Sequence, residues 1–370
     1  MSNLLLMPAM VAALCITTTF MFALRPLARS IGLVDRPGGR KSHVGIVPIV
    51  GGLAMFVGVF SGMIVLGDQG PHLPSLIVGS MILVAIGALD DKYALPASVR
   101  LAAQVGTVLI MIFGAGLSVQ SIGNPIGIGD IGLGPVALVF TMLVSLTVIN
   151  AYNLIDGVDG LAGSLALLAL LAIALVGGID SASGAVALTI AASVIGFLVF
   201  NFPVVWNRPV RSFMGDAGST FLGFVIVWTA LGVSQGADRA ISPVYCLWFA
   251  SIPIYDLLTC LWRRVAAGKS PLRPGRDHFH HALKRGGMGV RQVLGIMTGV
   301  QLIYILIALV AFALSVAEPL MFAAWLGLGL CQRSLFLRIA CHSRLRGLRR
   351  ARANRLREVA KMPATTRQAA

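Results

Sequence analysis

Long uninterrupted apolar runs decide what this chain can fold into. Eleven of them recur along 370 residues, at roughly 4–24, 47–67, 74–89, 99–117, 134–150, 161–177, 184–201, 218–236, 240–261, 292–314 and 317–332. Inside a bilayer each backbone N–H and C=O must find a partner within the protein, so such a run becomes a helix. The runs are continuous, unlike the alternating ten-residue segments of an outer-membrane barrel. Only 12% of the residues are charged and 57% are hydrophobic, whereas a soluble domain carries about 25% charged residues. Several runs are shorter than about 20 residues and need tilt or protein cover to fit the hydrocarbon core. The expected fold is all-α, a polytopic transmembrane helical bundle of ten or eleven spans. It forms one integral-membrane domain over residues 1–335, followed by a basic tail over 336–370.

Lys and Arg orient the bundle. With the N-terminus outside, 28 of the 29 basic residues fall in inside segments when the second of these is counted to Arg100, and Arg239 alone lies outside, as the positive-inside rule requires. The segments at 25–46, 90–98, 150–160, 202–217, 262–291 and 333–370 are then cytoplasmic, the C-terminus included. The net charge of +15 becomes a property of the membrane surface and calls for no nucleic acid. The Met1-Ser2-Asn3-Leu4 start lacks the basic region of a signal peptide, so the first span is expected to stay. Five cysteines without a CxxC pair indicate neither a disulfide framework nor a thiolate metal site.

Acidic residues number only 14, so their placement is informative. Seven of them, Asp90, Asp91, Asp156, Asp159, Asp216, Asp256 and Asp277, crowd inside-facing span ends or loops. Clustered carboxylates on a basic face suit a metal ion and a phosphorylated ligand. Asp90-Asp91 end the third run, where a helix dipole prefers cations to an acid pair; holding both ionised favours a nearby cation, although a hydrated helix end would also accommodate them. Asn153, Asp156 and Asp159 are spaced by three within Asn150–Gly163, so a helix would make them neighbours. Gly157, Gly160 and Gly163 argue instead for partly irregular backbone that lets a ligand approach. The DGxDG string lacks the terminal Glu and spacing of an EF-hand.

In Phe213-Met214-Gly215-Asp216-Ala217-Gly218-Ser219 the acid opens a span, at a helix N-terminus suited to anions or a metal–phosphate complex. Phe213 either packs in the core or offers a nucleobase a stacking face. Arg276-Asp277-His278-Phe279-His280-His281 lies in the most basic loop. Three histidines suggest zinc, but no Cys or Glu partner stands at ligand spacing, and the surrounding Arg and Lys favour phosphate oxygens. Asp35–His43, with Lys41 and His43, reads equally as a membrane anchor or a phosphate contact.

In this order, these five segments resemble the polyprenyl-phosphate N-acetylhexosamine-1-phosphate transferase family, most closely its bacterial undecaprenyl-phosphate GlcNAc-1-phosphate branch. The likeness runs from about Gly32 to Leu283 and rests on NAYNLIDGVDGLAG, FMGDAGS and the HFHH loop. Phospho-MurNAc-pentapeptide transferases have three consecutive histidines in that loop. One departure stands out: the third acid of the family's DDxxD motif is Ala94 here.

The resemblance implies a reaction in which a UDP-N-acetylhexosamine and undecaprenyl phosphate give undecaprenyl-diphospho-sugar and UMP. It would be the initiating step of O-antigen or related envelope polysaccharide synthesis at the bacterial inner membrane. It implies Mg²⁺, with Mn²⁺ as a substitute, held by Asp216 and Asp91. Asp90, Asp91, Asp156 and Asp159 would be catalytic. Asn153, Asp156, Asp159 and Phe213 would hold the uridine, and Lys41, His43, Arg276, His278, His280 and His281 the phosphates and sugar. The expected partners are these two substrates and the lipid bilayer, and the chain is compatible with a homodimer. An ion-coupled transporter would place its acids in mid-span; here they collect at span ends.

Overall fold

The computed structural model describes the backbone of residues 2–36, 45–67, 72–203, 211–268 and 278–361, and the side chains of residues 4–339 among these. Each expected apolar run falls on a helix or, in one case, a helix pair. In chain order the helices are α1 (Ser2–Ile31), α2 (Gly51–Leu66), α3 (Leu73–Tyr93), α4 (Ala97–Ala115), α5 (Ala137–Ile155), α6 (Leu161–Gly177) and α7 (Ala182–Asn201). There follow α8 (Gly215–Ser234), α9 (Pro243–Phe249), α10 (Ser251–Ala266), the short α11 (Phe279–Arg285), α12 (Val290–Ala313) and α13 (Glu318–Lys361). Among the described residues, eight helices are long and apolar enough to cross a membrane, and α9 with α10 makes a ninth if that bent pair is one span. At 16 and 17 residues, α2 and α6 are shorter. The chain is a multi-pass membrane protein. The expected boundary at residues 335/336 falls inside α13, which continues without a break to Lys361.

Two expectations need correction. The run at 240–261 is not one straight helix: α9 and α10 meet at an angle of 84°. Pro253 has no N–H to give the carbonyl four residues earlier, which belongs to Phe249. Gln301 of α12, fully buried, fills the break. Its Nε2 donates to the carbonyls of Trp248 (2.9 Å) and Phe249 (3.0 Å), and its Oε1 accepts from Ile252 N–H (2.9 Å). The second correction is a minimal strand pair in an otherwise helical fold. β1 (Val34–Asp35) runs antiparallel to β2 (Val47–Pro48), bringing the segment after α1 against the one before α2, and an isolated bridge from Ile49 to Phe213 ties the latter to the segment before α8.

The bundle is built around α8. Its residues are buried along almost the whole length, with α2, α3, α5, α6 and α7 packed on it. Small residues let the backbones meet, as in membrane helix packing generally. A methyl at Gly223 would stand 2.6 Å from Ile149 Cα of α5, and one at Gly87 of α3 would overlap the backbone of Ala217. Leu302, Ile303, Leu306 and Val310 of α12 are exposed, as lipid-facing residues are. At one end of the bundle, Arg239 pairs with Asp130 at 3.0 Å. The carboxylate clusters gather at the other end.

Candidate active site

The N-terminus of α8 is the hub of the site. Ser212 Oγ and Phe213 N–H both donate to the Pro48 carbonyl, at 2.9 and 3.0 Å, and Gly51 N–H donates to the Phe213 carbonyl at 3.0 Å. These bonds staple the FMGD turn to the segment before α2. Gly215 then takes φ +73°, a left-handed conformation that costs a side-chain-bearing residue about 1 kcal/mol or more. A Cβ there would also collide with the Asp91 carboxylate. Both constraints demand glycine.

Asp91, on the last turn of α3, accepts from Asp216 N–H (2.9 Å) and Ala217 N–H (3.4 Å). A carboxylate on the free amides at a helix start gains from both the hydrogen bonds and the dipole. Asp90 faces other partners: its Oδ1 accepts from Leu95 N–H (2.6 Å) and its Oδ2 from Arg100 Nη1 (3.0 Å). The adjacent acids therefore do different work, one fixing α8 to α3 and one facing the cation. Ala94, where the family motif has its third acid, is the left-handed cap of α3 with φ 52° and is exposed.

Asp216 stands between α4 and α5. Its Oδ1 accepts from Asn153 Nδ2 (3.0 Å) and its Oδ2 from Arg100 Nη1 (3.2 Å). Asn153 Nδ2 also reaches Ser219 Oγ at 3.0 Å. The three-residue spacing in the DGVDG stretch is not continuous helix: α5 ends at Ile155 and Asp156 caps it. Asp159 follows in the turn, and Gly160 (φ +77°) opens α6, its N–H bonded to Asn201 Oδ1 at 2.7 Å. Half-buried Asp156 is pushed up to about 8, first by desolvation and then by the charges of Asp216, Asp159 and Asp91.

The histidine loop docks on the same loop. His280 is 1% exposed, a methyl at Gly157 would overlap its Nε2, and neither ring nitrogen has a hydrogen-bond partner among the described residues. Burial first, then His281, His278 and Lys284, hold it well below the ordinary histidine value, so it is neutral. His278 is different. Its Nδ1 donates to Asp256 Oδ2 at 2.9 Å, its Nε2 lies 4.0 Å from Cys260 Sγ, and Asp256 Oδ1 accepts from Phe279 N–H at 2.6 Å. Burial alone would lower His278 and is the largest influence, but Asp256 and Cys260 together carry it up to about 9. With Nδ1 bonded to Asp256 and Nε2 beside Cys260 Sγ, His278 anchors the loop. The ring of His281 lies 4.2 Å from that of His280, tilted by 51°.

Thus Asp90, Asp91, Asn153 and Asp216 come directly together, Asp156 and Asp159 border them, and His280 reaches the same loop. Phe213 sits half-buried beside the hub. Lys41, His43, Arg276 and Asp277 lie outside the described residues. Arg100 escaped the motif reading, and Asp256, though counted among the clustered acids, has no role there, although an acid within a span is a functional signal by default.

No group of three or more His, Cys, Asp or Glu side chains converges tightly enough to hold a metal unaided, among the described residues. Two carboxylates, Asp90 and Asp216, do converge on one point, marked by Arg100 Nη1. An all-oxygen pair of this kind fits Mg²⁺, which takes one or two carboxylates and completes its shell with water and substrate phosphate. It does not fit a closed tetrahedral zinc site.

Residues 73–234, from the start of α3 to the end of α8, match the family model "Glycosyl transferase family 4". Similar curated proteins carry the name undecaprenyl-phosphate alpha-N-acetylglucosaminyl 1-phosphate transferase, among them the following three. That of Haemophilus influenzae is 36% identical over 310 residues, 82% of this chain and 86% of the relative. That of Yersinia pestis is 34% identical over 284 residues (75% and 77%), and that of Escherichia coli K12 is 32% identical over 284 residues (76% and 77%). With this identity spread over most of both chains, and the matched segment carrying the carboxylate hub, the chain belongs to glycosyl transferase family 4.

Proposed function

We propose that this enzyme moves GlcNAc-1-phosphate from UDP-GlcNAc to undecaprenyl phosphate, releasing UMP. It is a phosphotransferase that joins two phosphates at the membrane surface. We read the fold as ten or eleven spans with the site on the cytoplasmic face of a bacterial inner membrane, a reading supported by the positive-inside rule, which puts the acid-bearing loops there. The observation that carries the reading is the meeting of Asp90, Asp91, Asn153 and Asp216 at the start of α8.

The physical difficulty is bringing an anionic monophosphate against an anionic diphosphate. A divalent ion, Mg²⁺ or Mn²⁺, held by Asp216 with Asp90 or Asp91, would neutralise the phosphates and stabilise charge growing on the leaving UMP. The protein's own residues do the rest. Asp91 holds the α8 N-terminus against α3, and Asn153 aims Asp216 through Oδ1. Asp90 takes the remaining proton of the acceptor phosphate. An oxygen of the acceptor phosphate attacks the donor β-phosphorus, the bond from that phosphorus to the α-phosphate's bridging oxygen breaks, and UMP leaves with that electron pair. Phe213, Asp156 and Asp159 hold the uridine. Lys41, His43, Arg276, His280 and His281 meet phosphate and sugar, and neutral His280 offers one donor and one acceptor.

Membranes given Mg²⁺, undecaprenyl phosphate and a panel of radiolabelled UDP-sugars should make a labelled lipid from UDP-GlcNAc, and tunicamycin-type nucleoside analogues should block it. Labelled lipid from another UDP-sugar alone would reassign the donor. Lack of any labelled lipid would remove the activity.

The histidine loop makes a separate prediction. Asp256→Asn keeps an acceptor for Phe279 N–H but discards the charge paired with His278. The expected result is about a tenfold rise in KM for UDP-GlcNAc, a loss of about 1.4 kcal/mol, with KM for undecaprenyl phosphate unchanged. Steady-state kinetics with each substrate varied in turn would show it. An equal rise in both constants would mean the pair only supports the fold.

A further inference from the structure

One group at the hub has no part in the roles above. Arg100, on the first turn of α4, places a single nitrogen, Nη1, on two carboxylates: Asp90 Oδ2 at 3.0 Å and Asp216 Oδ2 at 3.2 Å. Its Nε and Nη2 make no hydrogen bond among the described residues. An arginine paired with acids normally spends its planar fork on them in parallel bonds. This one spans two acids with one atom and leaves the rest of the fork unused. Its side chain is 35% exposed, so phosphate arriving from the membrane surface can reach it.

Its position is built from behind. Gln104, one turn further along α4, is 5% exposed and pairs with Asn150 of α5. Asn150 Nδ2 donates to Gln104 Oε1 at 2.8 Å, and Gln104 Nε2 faces Asn150 Oδ1 at 3.5 Å. Asn150 in turn lies one turn before Asn153. The amide pair therefore sets the register of α4 against α5. It delivers Arg100 and Asn153 to the two oxygens of the same carboxylate. Such a clamp is more than a chance surface ion pair requires.

A guanidinium and a divalent ion cannot share the point where Asp90 and Asp216 converge, because like charges at contact repel strongly. Two carboxylates facing each other without a cation are unfavourable, so either cation is favoured at that position. We propose that Arg100 is an internal counter-ion: it occupies the Asp90–Asp216 position in the substrate-free enzyme, gives it up to the divalent cation, and turns its freed fork onto substrate phosphate. The carboxylates stay compensated throughout, one cation replacing another with no bond made or broken. This rests on the metal-dependent phosphotransferase reading above.

The two functions have opposite signs in one variant, which makes the idea testable. Mn²⁺ binding to the purified full-length enzyme, without substrates, can be followed by electron paramagnetic resonance. Arg100→Met should bind Mn²⁺ about tenfold more tightly than wild type, since the competing charge is gone. The same variant should lose about a hundredfold in kcat/KM for transfer, as expected when a charge-stabilising donor is removed. Separate KM values for UDP-GlcNAc and undecaprenyl phosphate identify which phosphate the fork meets. Arg100→Lys should restore wild-type Mn²⁺ affinity more fully than activity. Gln104→Ala, which loosens the arginine without removing its charge, should tighten Mn²⁺ binding by a smaller factor. Unchanged or weaker Mn²⁺ binding in a folded Arg100→Met protein overturns the exchange alone. Absence of Mn²⁺ binding to wild type overturns the metal reading, and the exchange with it.

Discussion

Replacing Asp216 by Asn should leave the protein folded and inserted while lowering kcat about a thousandfold. The size is that of removing a main electrostatic support of a charged transition state, on the order of 4 kcal/mol. Stability should hardly move, because the asparagine carbonyl can still accept from Asn153 Nδ2, now bonded at 3.0 Å. The backbone N–H at this position, which donates to Asp91, is unaffected. Thermal melting in detergent and single-turnover transfer on the same preparation give the two halves of the result. Normal turnover would end the assignment of Asp216 as the principal metal ligand.

Gly87 lies one turn before the acid pair, where α3 lies against the start of α8. Gly87→Ala would set a methyl into the backbone of Ala217, and neither helix backbone can give locally. The helices must part by about an ångström, which carries Asp90 and Asp91 away from Asp216. A misplacement of that size costs about a hundredfold in rate, and the overpacking costs about 1–3 kcal/mol in stability. Gly106→Ala is the control: a methyl there meets nothing within 4 Å, so both quantities should stay at wild-type values. Full activity of Gly87→Ala would show that the α3–α8 contact does not set the geometry of the site.

The long helices and the identity of the acid clusters were legible in the chain because lipid imposes a period-free demand on composition. A run of apolar residues is a helix wherever it falls, and a carboxylate among so few others stands out. What the chain concealed was pairing across helices. Arg100 reads as one more basic residue of an inside loop until α4 is set against α5 and α8. The α9–α10 break needed Gln301, some fifty residues away, to satisfy the backbone that Pro253 leaves unpaired. In HFHH the three histidines are equivalent in the sequence, yet Asp256 makes His278 an anchor, and the nitrogens of His280 have no hydrogen-bond partner among the described residues. Asp90 and Asp91 are likewise one motif in the chain and two separate devices in the fold.

The transfer itself is tested most directly by following one phosphorus atom. Purified enzyme, Mg²⁺ and undecaprenyl phosphate would be incubated with UDP-GlcNAc labelled with ³²P at its β-phosphate, and the lipid extracted into organic solvent. Attack at the β-phosphorus predicts that the label enters the lipid together with GlcNAc, with one unlabelled UMP released for each sugar transferred. Label remaining in the water phase as UDP, while the sugar alone passes to the lipid, would contradict the account.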